Sequence, residues 1–296
     1  MARLGILSVE LERNGLEANL DAIKEHGIGT VQYHIGSAVP GVEKRPAVIR
    51  GWSLMAPYLT PELVAQIHDG FLARDLNMAA VDGTYNMIDP DLDARATGAA
   101  ALHELIGFAP ALGTSIVTLA SGTRNPDSMW TPDPGSYTGE AWADLLVGMA
   151  AAASRAEEMG ITLAVEPELG NVVNSPAAAR RLMDEIASPN LKVLFDAANI
   201  FKTGDLARMH DHLKESFDLV GDDIAIAHAK DLDHDGGAGH LPVGHGELDY
   251  DIYLGLLAQS GFDGAVILHQ LSIPEDEYAQ AFAYVRGHAP AGFLTS

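Results

Sequence analysis

Apolar residues in this chain arrive in short, evenly spaced runs. Eight of them read as strands: LGILSV (4–9), TVQYHI (30–35), MAAVDG (78–83), SIVTLA (115–120), TLAVEP (162–167), KVLFDA (192–197), AIAHAK (225–230) and AVILHQ (265–270). Between them lie stretches with helical spacing, at 16–26, 61–75, 94–110, 138–159, 176–187, 206–218, 249–260 and 275–287. Thr60-Pro61-Glu62 and Ser175-Pro176 each place a capping hydroxyl before a proline at the first helical position. Gly27, Gly160 and Gly261 fall where three helices should stop before the next strand. The runs are too apolar for half-exposed strands, which predicts a parallel sheet covered by helices. Eight such units in 296 residues fit a (β/α)8 TIM barrel. A doubly wound sheet would want a glycine-rich turn after the first strand, and SVELERN (8–14) holds no glycine. No linker of Pro, Ser or Gly character interrupts the pattern, so one domain is expected over 1–296.

The connections are unequal. Those from helix to strand are short, whereas three from strand to helix are long: 36–59, 121–137 and 231–248. In a barrel all strand-to-helix loops share the C-terminal face, so these three predict a roofed pocket there. The last four strands end in ionisable residues: AVEPE at Glu166, LFDAAN at Asp196, IAHAKD at His228 and ILHQ at His269. One such histidine would ordinarily be a hydrogen-bonded core residue, and one such aspartate a helix cap. Four on consecutive staves can converge. Buried carboxylates alone together would repel and take up protons, and a cation removes that conflict. Two carboxylates and two imidazoles without a thiol suit one divalent ion of the Mn²⁺, Co²⁺, Mg²⁺, Fe²⁺ or Zn²⁺ group, with manganese the first expectation. Gln270 competes with His269 for the inward direction, because a one-residue slip exchanges them.

Composition narrows the field. The chain has no cysteine, which removes disulfides, thiolate nucleophiles and Cys-type zinc sites. No GxSxG elbow or GxGxxG turn is present, so serine-type catalysis and dinucleotide binding have no support. The net charge is −23 and the 18 Lys and Arg are scattered, which disfavours a nucleic-acid partner. No apolar stretch approaches the roughly 18 residues of a membrane span, and the first residues do not read as a signal peptide. A cytoplasmic protein without membrane contact is expected.

VEPE, DAAN, HAKD, GHGELDY and GFDGAVILHQ, with VDGTYNMIDPD after the third strand, give the chain a resemblance to the xylose isomerase-like barrel superfamily of sugar isomerases and epimerases, including sugar-phosphate members. The resemblance implies a divalent-metal-dependent isomerase or epimerase acting on a small sugar, ketose or polyol through metal-stabilised enediolate chemistry. It implies that Glu166, Asp196 and His228 ligate the metal from the fifth, sixth and seventh strands, with Glu166 also the first choice of base. The eighth-strand position is usually glutamate in the epimerases and is His269 here. The symmetric two-carboxylate device is thereby lost: either His269 is the base and does not bind metal, or another reaction is run. Elimination needs one base and one acid, so a lyase of inosose or dehydroshikimate dehydratase type, or a 3-oxo-glycoside deglycosidase, is the alternative. An abasic-site endonuclease is disfavoured by charge, and a non-catalytic barrel is the remaining option. Lys230 could neutralise an oxyanion or a phosphate, or pair with Asp231 or a neighbouring carboxylate. His240, in the loop over the pocket, could donate a proton or lie at the surface. His34, Asn86, Glu168, Asn199 and Trp52 are expected to meet substrate, with Met55 and Trp130 as further apolar wall; for Asn199, capping the next helix is the competing role. Barrels of this kind often dimerise or tetramerise, so a homo-oligomer is expected.

Overall fold

The computed structural model describes residues 1–40 and 58–295. Eight parallel strands close into a barrel in sequence order: β1 (Arg3–Leu7), β2 (Thr30–Tyr33), β3 (Asn77–Asp82), β4 (Ile116–Ala120), β5 (Thr162–Glu166), β6 (Leu191–Asp196), β7 (Ile224–Ala229) and β8 (Ala265–Leu268). Among the described residues eight α-helices lie outside it: α1 (Leu16–Glu25), α2 (Pro61–Ala73), α3 (Leu92–Leu112), α4 (Gly139–Met159), α5 (Pro176–Ile186), α6 (Met209–Val220), α7 (Tyr250–Gln259) and α8 (Tyr278–His288). The (β/α)8 expectation therefore holds. The capping signals act as their chemistry predicts: Thr60 Oγ1 accepts Leu63 N at 3.2 Å and Ser175 Oγ accepts Ala178 N at 3.3 Å. Gly160 ends α4 at φ 66°, a left-handed turn that glycine adopts without a Cβ clash.

The strands sort their residues onto two faces with period two. Outward residues such as Leu163, Val165, Val193 and Phe195 pack beneath the helices in the main core. Inward residues form a second, smaller cluster of Leu7, Ala80, Ala164, Leu194, Ile226, Ala265 and Ile267 that plugs the barrel. Counting two further along each stave gives the residue that caps the plug. Ala80 leads to Asp82, Ala164 to Glu166, Leu194 to Asp196, Ile226 to His228 and Ile267 to His269. The inward parity set by the apolar plug thus delivers five ionisable groups to the same mouth.

Three strands, β1, β2 and β8, stop two residues sooner than their apolar runs suggest. After β1, Ser8–Leu11 forms a 3-10 turn, and Ser8 Oγ accepts the His34 main-chain N–H at 2.9 Å. After β2 the chain enters another 3-10 turn at Ile35–Ala38, with His34 as its flanking residue. After β8, Gln270 takes φ 54°, so strand alternation ends at that point. No helix among the described residues is long and apolar enough to cross a membrane.

Candidate active site

A cavity of about 450 Å³ opens at the C-terminal mouth of the barrel. Asp82, Glu166, Glu168, His228, Lys230 and His269 all line it. Asp196 lies just beneath, fully buried, in direct register with His228. The oxygens of Glu166 and Asp196 and a ring nitrogen of His228 lie within 4.8 Å of one another. His228 Nδ1 is 3.5 Å from Asp196 Oδ2 and 3.8 Å from Glu166 Oε1, while Nε2 pairs with Gln32 Oε1 at 3.0 Å. Nδ1 makes no hydrogen bond among the described residues, although it is buried.

A buried ring nitrogen without a hydrogen bond, aimed at two carboxylates, matches the donor set of a divalent cation. Charge points the same way. Among the described residues Asp82, Glu166 and Glu168 line the cavity together with the ammonium of Lys230, whose Nζ lies 3.1 Å from a fourth carboxyl, Asp196 Oδ2. Glu166, Asp196 and His228 could therefore hold one ion. Hydrogen bonds brace the strand ends behind them. Tyr253 on α7 donates its hydroxyl to the main-chain oxygens of Phe195, at 3.2 Å, and His228, at 3.0 Å, tying the ends of β6 and β7 together.

Burial pushes the Glu166 carboxyl up to about 7, the nearby Asp196 charge adding to this and His228 and Lys230 opposing it. Burial would raise Asp196 as well, but Lys230 and His228 hold it well below the usual carboxylate range. Lys230 Nζ lies 3.1 Å from Asp196 Oδ2 and donates to Asn199 Oδ1 at 2.7 Å. Burial opposes its charge, yet Asp196, Glu166 and Glu168 together raise it above an ordinary lysine. Asn199 lines the cavity and does not cap the next helical turn, whose N-cap position is Asp205. It donates to Glu166 Oε1 at 2.8 Å and accepts from Lys230 and from Gly239 N, so it links the Glu166 carboxyl to the Lys230 ammonium. Glu168 is buried at the cavity wall, with Oε1 accepting Gly170 N at 2.9 Å. Trp130 lines the same cavity.

Several expected positions lie elsewhere. Asp231, considered as a partner for Lys230, instead accepts the main-chain N–H groups of Leu232, Leu248 and Gly244 and shapes the loop after β7. His240 is in that loop but faces Asp233 and His234 at the surface, while its neighbours Ala238 and Gly239 face the cavity. His34 is buried behind β2, where burial pushes its imidazole down to about 3. Asn86 clamps the loop after β4: its Nδ2 donates to Thr123 O at 2.8 Å and its Oδ1 accepts Thr123 N at 3.0 Å. Neither His34 nor Asn86 is among the described residues lining the cavity. Trp52 and Met55 lie outside the described residues.

His269 faces the cavity beside His228, with ring centroids 5.1 Å apart, but does not join the three-residue cluster of ligand atoms. Its Nδ1 meets Glu10 Oε1 at 3.1 Å. Burial lowers the imidazole, partly offset by that carboxylate. Burial would raise Glu10 in turn, but the His269 ring and the N–H groups of Gln270 and Leu271 bring it below its ordinary value. Gln270 also lines the cavity, so the alternation that made the pair exclusive does not apply. Sequence reading passed over Glu10, Gln32 and Asp82. Asp82 had a usable signal, since it ends an apolar strand just as Glu166 and Asp196 do. Burial pushes it up to about 6 against the hydrogen bonds from Thr84 and Thr118.

The model of one protein family, described as xylose isomerase-like TIM barrel, matches residues 20–288. Among solved structures, a D-tagatose 3-epimerase-like protein superposes with a TM-score of 0.72 at 17% identity, covering 97% of this chain and 96% of that one. The probable 3-DHS dehydratase AsbF from Bacillus anthracis gives 0.67 at 12%, covering 96% and 97%. A xylose isomerase-like TIM barrel protein from Mycobacterium smegmatis, solved in complex with magnesium, gives 0.69 at 14%, covering 98% of each. No curated protein matches the sequence.

Proposed function

We propose, because the chain belongs to the xylose isomerase-like TIM barrel family, that it is a divalent-metal-dependent isomerase or epimerase of a small ketose or polyol. The observation that carries this reading is the buried convergence of Glu166, Asp196 and His228 within 4.8 Å at the floor of a sugar-sized cavity. These three residues would hold a divalent ion, which would supply the Lewis acidity that makes a C–H beside a substrate carbonyl removable. Glu166 is the base for that proton. Its carboxyl lines the cavity that a substrate would enter. Asn199 orients it by donating to Oε1. Lys230 brings a fixed positive charge to the cavity wall, where negative charge develops on a substrate oxygen. His269 faces the same space and is the second proton carrier. Trp130 offers an apolar surface for a sugar face.

One observation favours a lyase as the second reading. The second proton carrier is an imidazole, and elimination uses one base and one unlike acid, whereas epimerisation suits a matched pair. One experiment separates the two. Chelator-treated protein is reloaded with Mn²⁺ in deuterated water and offered D-tagatose, other ketoses, inososes, 3-dehydroshikimate and 3-oxo-glycosides, with products followed by NMR. Deuterium at the carbon beside the carbonyl without loss of water is the expected outcome. Loss of water or aglycone assigns the lyase, and no Mn²⁺-dependent change in any substrate would refute both readings.

A further inference from the structure

We infer that Glu10 is a positioning residue for His269. It holds the ring in one tautomer with Nε2 turned into the cavity, so that His269 serves the substrate and stands outside the metal ligand set. The inference rests on the functional reading above for its chemistry, but not for its geometry.

Glu10 is 259 residues from His269 in the chain. Barrel closure makes them neighbours, because β1 pairs with β8 from Arg3↔Ala265 to Ile6↔Leu268. The 3-10 turn after β1 then lies against the chain leaving β8. There the Glu10 carboxylate is fully engaged. Oε1 accepts Gln270 N at 2.7 Å and faces His269 Nδ1 at 3.1 Å, and Oε2 accepts Leu271 N at 2.9 Å. Tyr278 from α8 anchors the same residue by donating to its main-chain oxygen at 2.9 Å. A carboxylate pinned by two main-chain N–H groups cannot swing away from the ring.

The tautomer follows from the donor inventory. An ionised carboxylate only accepts, so the ring nitrogen facing it carries the hydrogen. In a neutral imidazole the other nitrogen, Nε2, is then a bare acceptor, able to take a substrate proton or to ligate a metal, and the place of the ring relative to the ligand cluster separates the two roles. Backbone geometry agrees. Gln270 at φ 54° occupies a left-handed conformation that a residue with a Cβ adopts only where its surroundings hold it there. The N–H groups of Gln270 and of Leu271 after it both end on Glu10, so this carboxylate holds the strained turn that brings His269 and Gln270 to the cavity together.

The ligand cluster closes without His269. Glu166, Asp196 and His228 already lie within 4.8 Å of one another, with His228 presenting Nδ1. The His269 side chain is 25% exposed, against 13%, 0% and 4% for the three. It belongs to the open part of the cavity and not to its buried floor.

Three measurements test this on the full chain. Nitrogen-15 NMR of the imidazoles in metal-free wild type should show His269 protonated at Nδ1, and an Nε2-protonated ring overturns the inference without any variant. In Glu10→Gln the tautomer preference should be lost, and in Glu10→Asp kept. Calorimetric titration with Mn²⁺ should give Glu10→Gln and His269→Gln affinities within about threefold of wild type. A loss of about tenfold or more, the range seen when a ligand or its orienting partner is removed, makes His269 a ligand and overturns the inference. With the substrate that turns over, Glu10→Gln should lower kcat about 100-fold with KM little changed, and Glu10→Asp should restore part of it. Failure of wild type to bind Mn²⁺ would refute the proposed function alone, since the tautomer is read in metal-free protein.

Discussion

Asp82 gives the sharpest test of how this barrel floor is balanced. Its carboxyl lines the cavity at the end of β3, accepting Thr84 N at 3.0 Å and facing Thr118 Oγ1 at 3.5 Å. No Lys or Arg among the described residues forms an ion pair with it, and burial raises it from 3.8 to about 6. Because the folded value lies above the unfolded one, the stability linked to this group is fully present below 3.8 and lost as pH rises through about 6. At about 1.4 kcal/mol per pH unit the cost of folding with Asp82 ionised is about 2 kcal/mol at pH 5.5 and about 3 kcal/mol at pH 8. These are ceilings, since an oxygen facing the cavity keeps some hydration. Asp82→Asn removes the charge and keeps an oxygen for Thr84 and Thr118. Urea denaturation of chelator-treated wild type and variant should find the variant more stable, by a margin about 1 kcal/mol larger at pH 8 than at pH 5.5. Taking the difference between the two proteins cancels the other titrating groups. Both conditions stay clear of the acid range in which a chain of net charge −23 loses that charge. A variant less stable at pH 8, or a margin that does not change with pH, would refute the argument: it would mean the carboxylate is already balanced where it sits.

Other outcomes follow from the same geometry. Glu166→Gln should lower deuterium incorporation at least about 100-fold, and retained activity would remove Glu166 as base. Mn²⁺ at about 100 times its dissociation constant should stabilise chelator-treated protein by about 2.7 kcal/mol, read as a higher melting temperature; no shift would exclude a resident ion. Asp231→Ala strands three main-chain N–H groups, from Leu232, Leu248 and Gly244. At about 1 kcal/mol for each lost bond the variant should lose about 3 kcal/mol, and an unchanged melting curve would show that the loop does not depend on this carboxylate.

The architecture was legible because it depends on local periodicities. Apolar runs, proline after a capping hydroxyl, and glycine at helix ends place the elements to within a few residues, and short return loops make the sheet parallel. The same periodicity made Glu166, Asp196 and His228 legible, since each lies two residues beyond an inward apolar residue on its stave. His34 and Asn86 were harder to place. Beyond a strand end the side chain follows the turn it enters, and those turns are set by Ser8 and by the Thr123 main chain.

The sequence by itself determined the barrel, the lopsided loops and the polar tips of the last four staves, because each is encoded within about ten consecutive residues. Only the tertiary structure decided which groups face one another. It set Asn199 between Glu166 and Lys230, turned Asp231 into a loop anchor, left His240 at the surface and put Glu10 behind His269. Hydrogen bonds between residues 33 or 259 positions apart leave no mark on local spacing. They exist because the sheet closes on itself, and closure belongs to the whole chain.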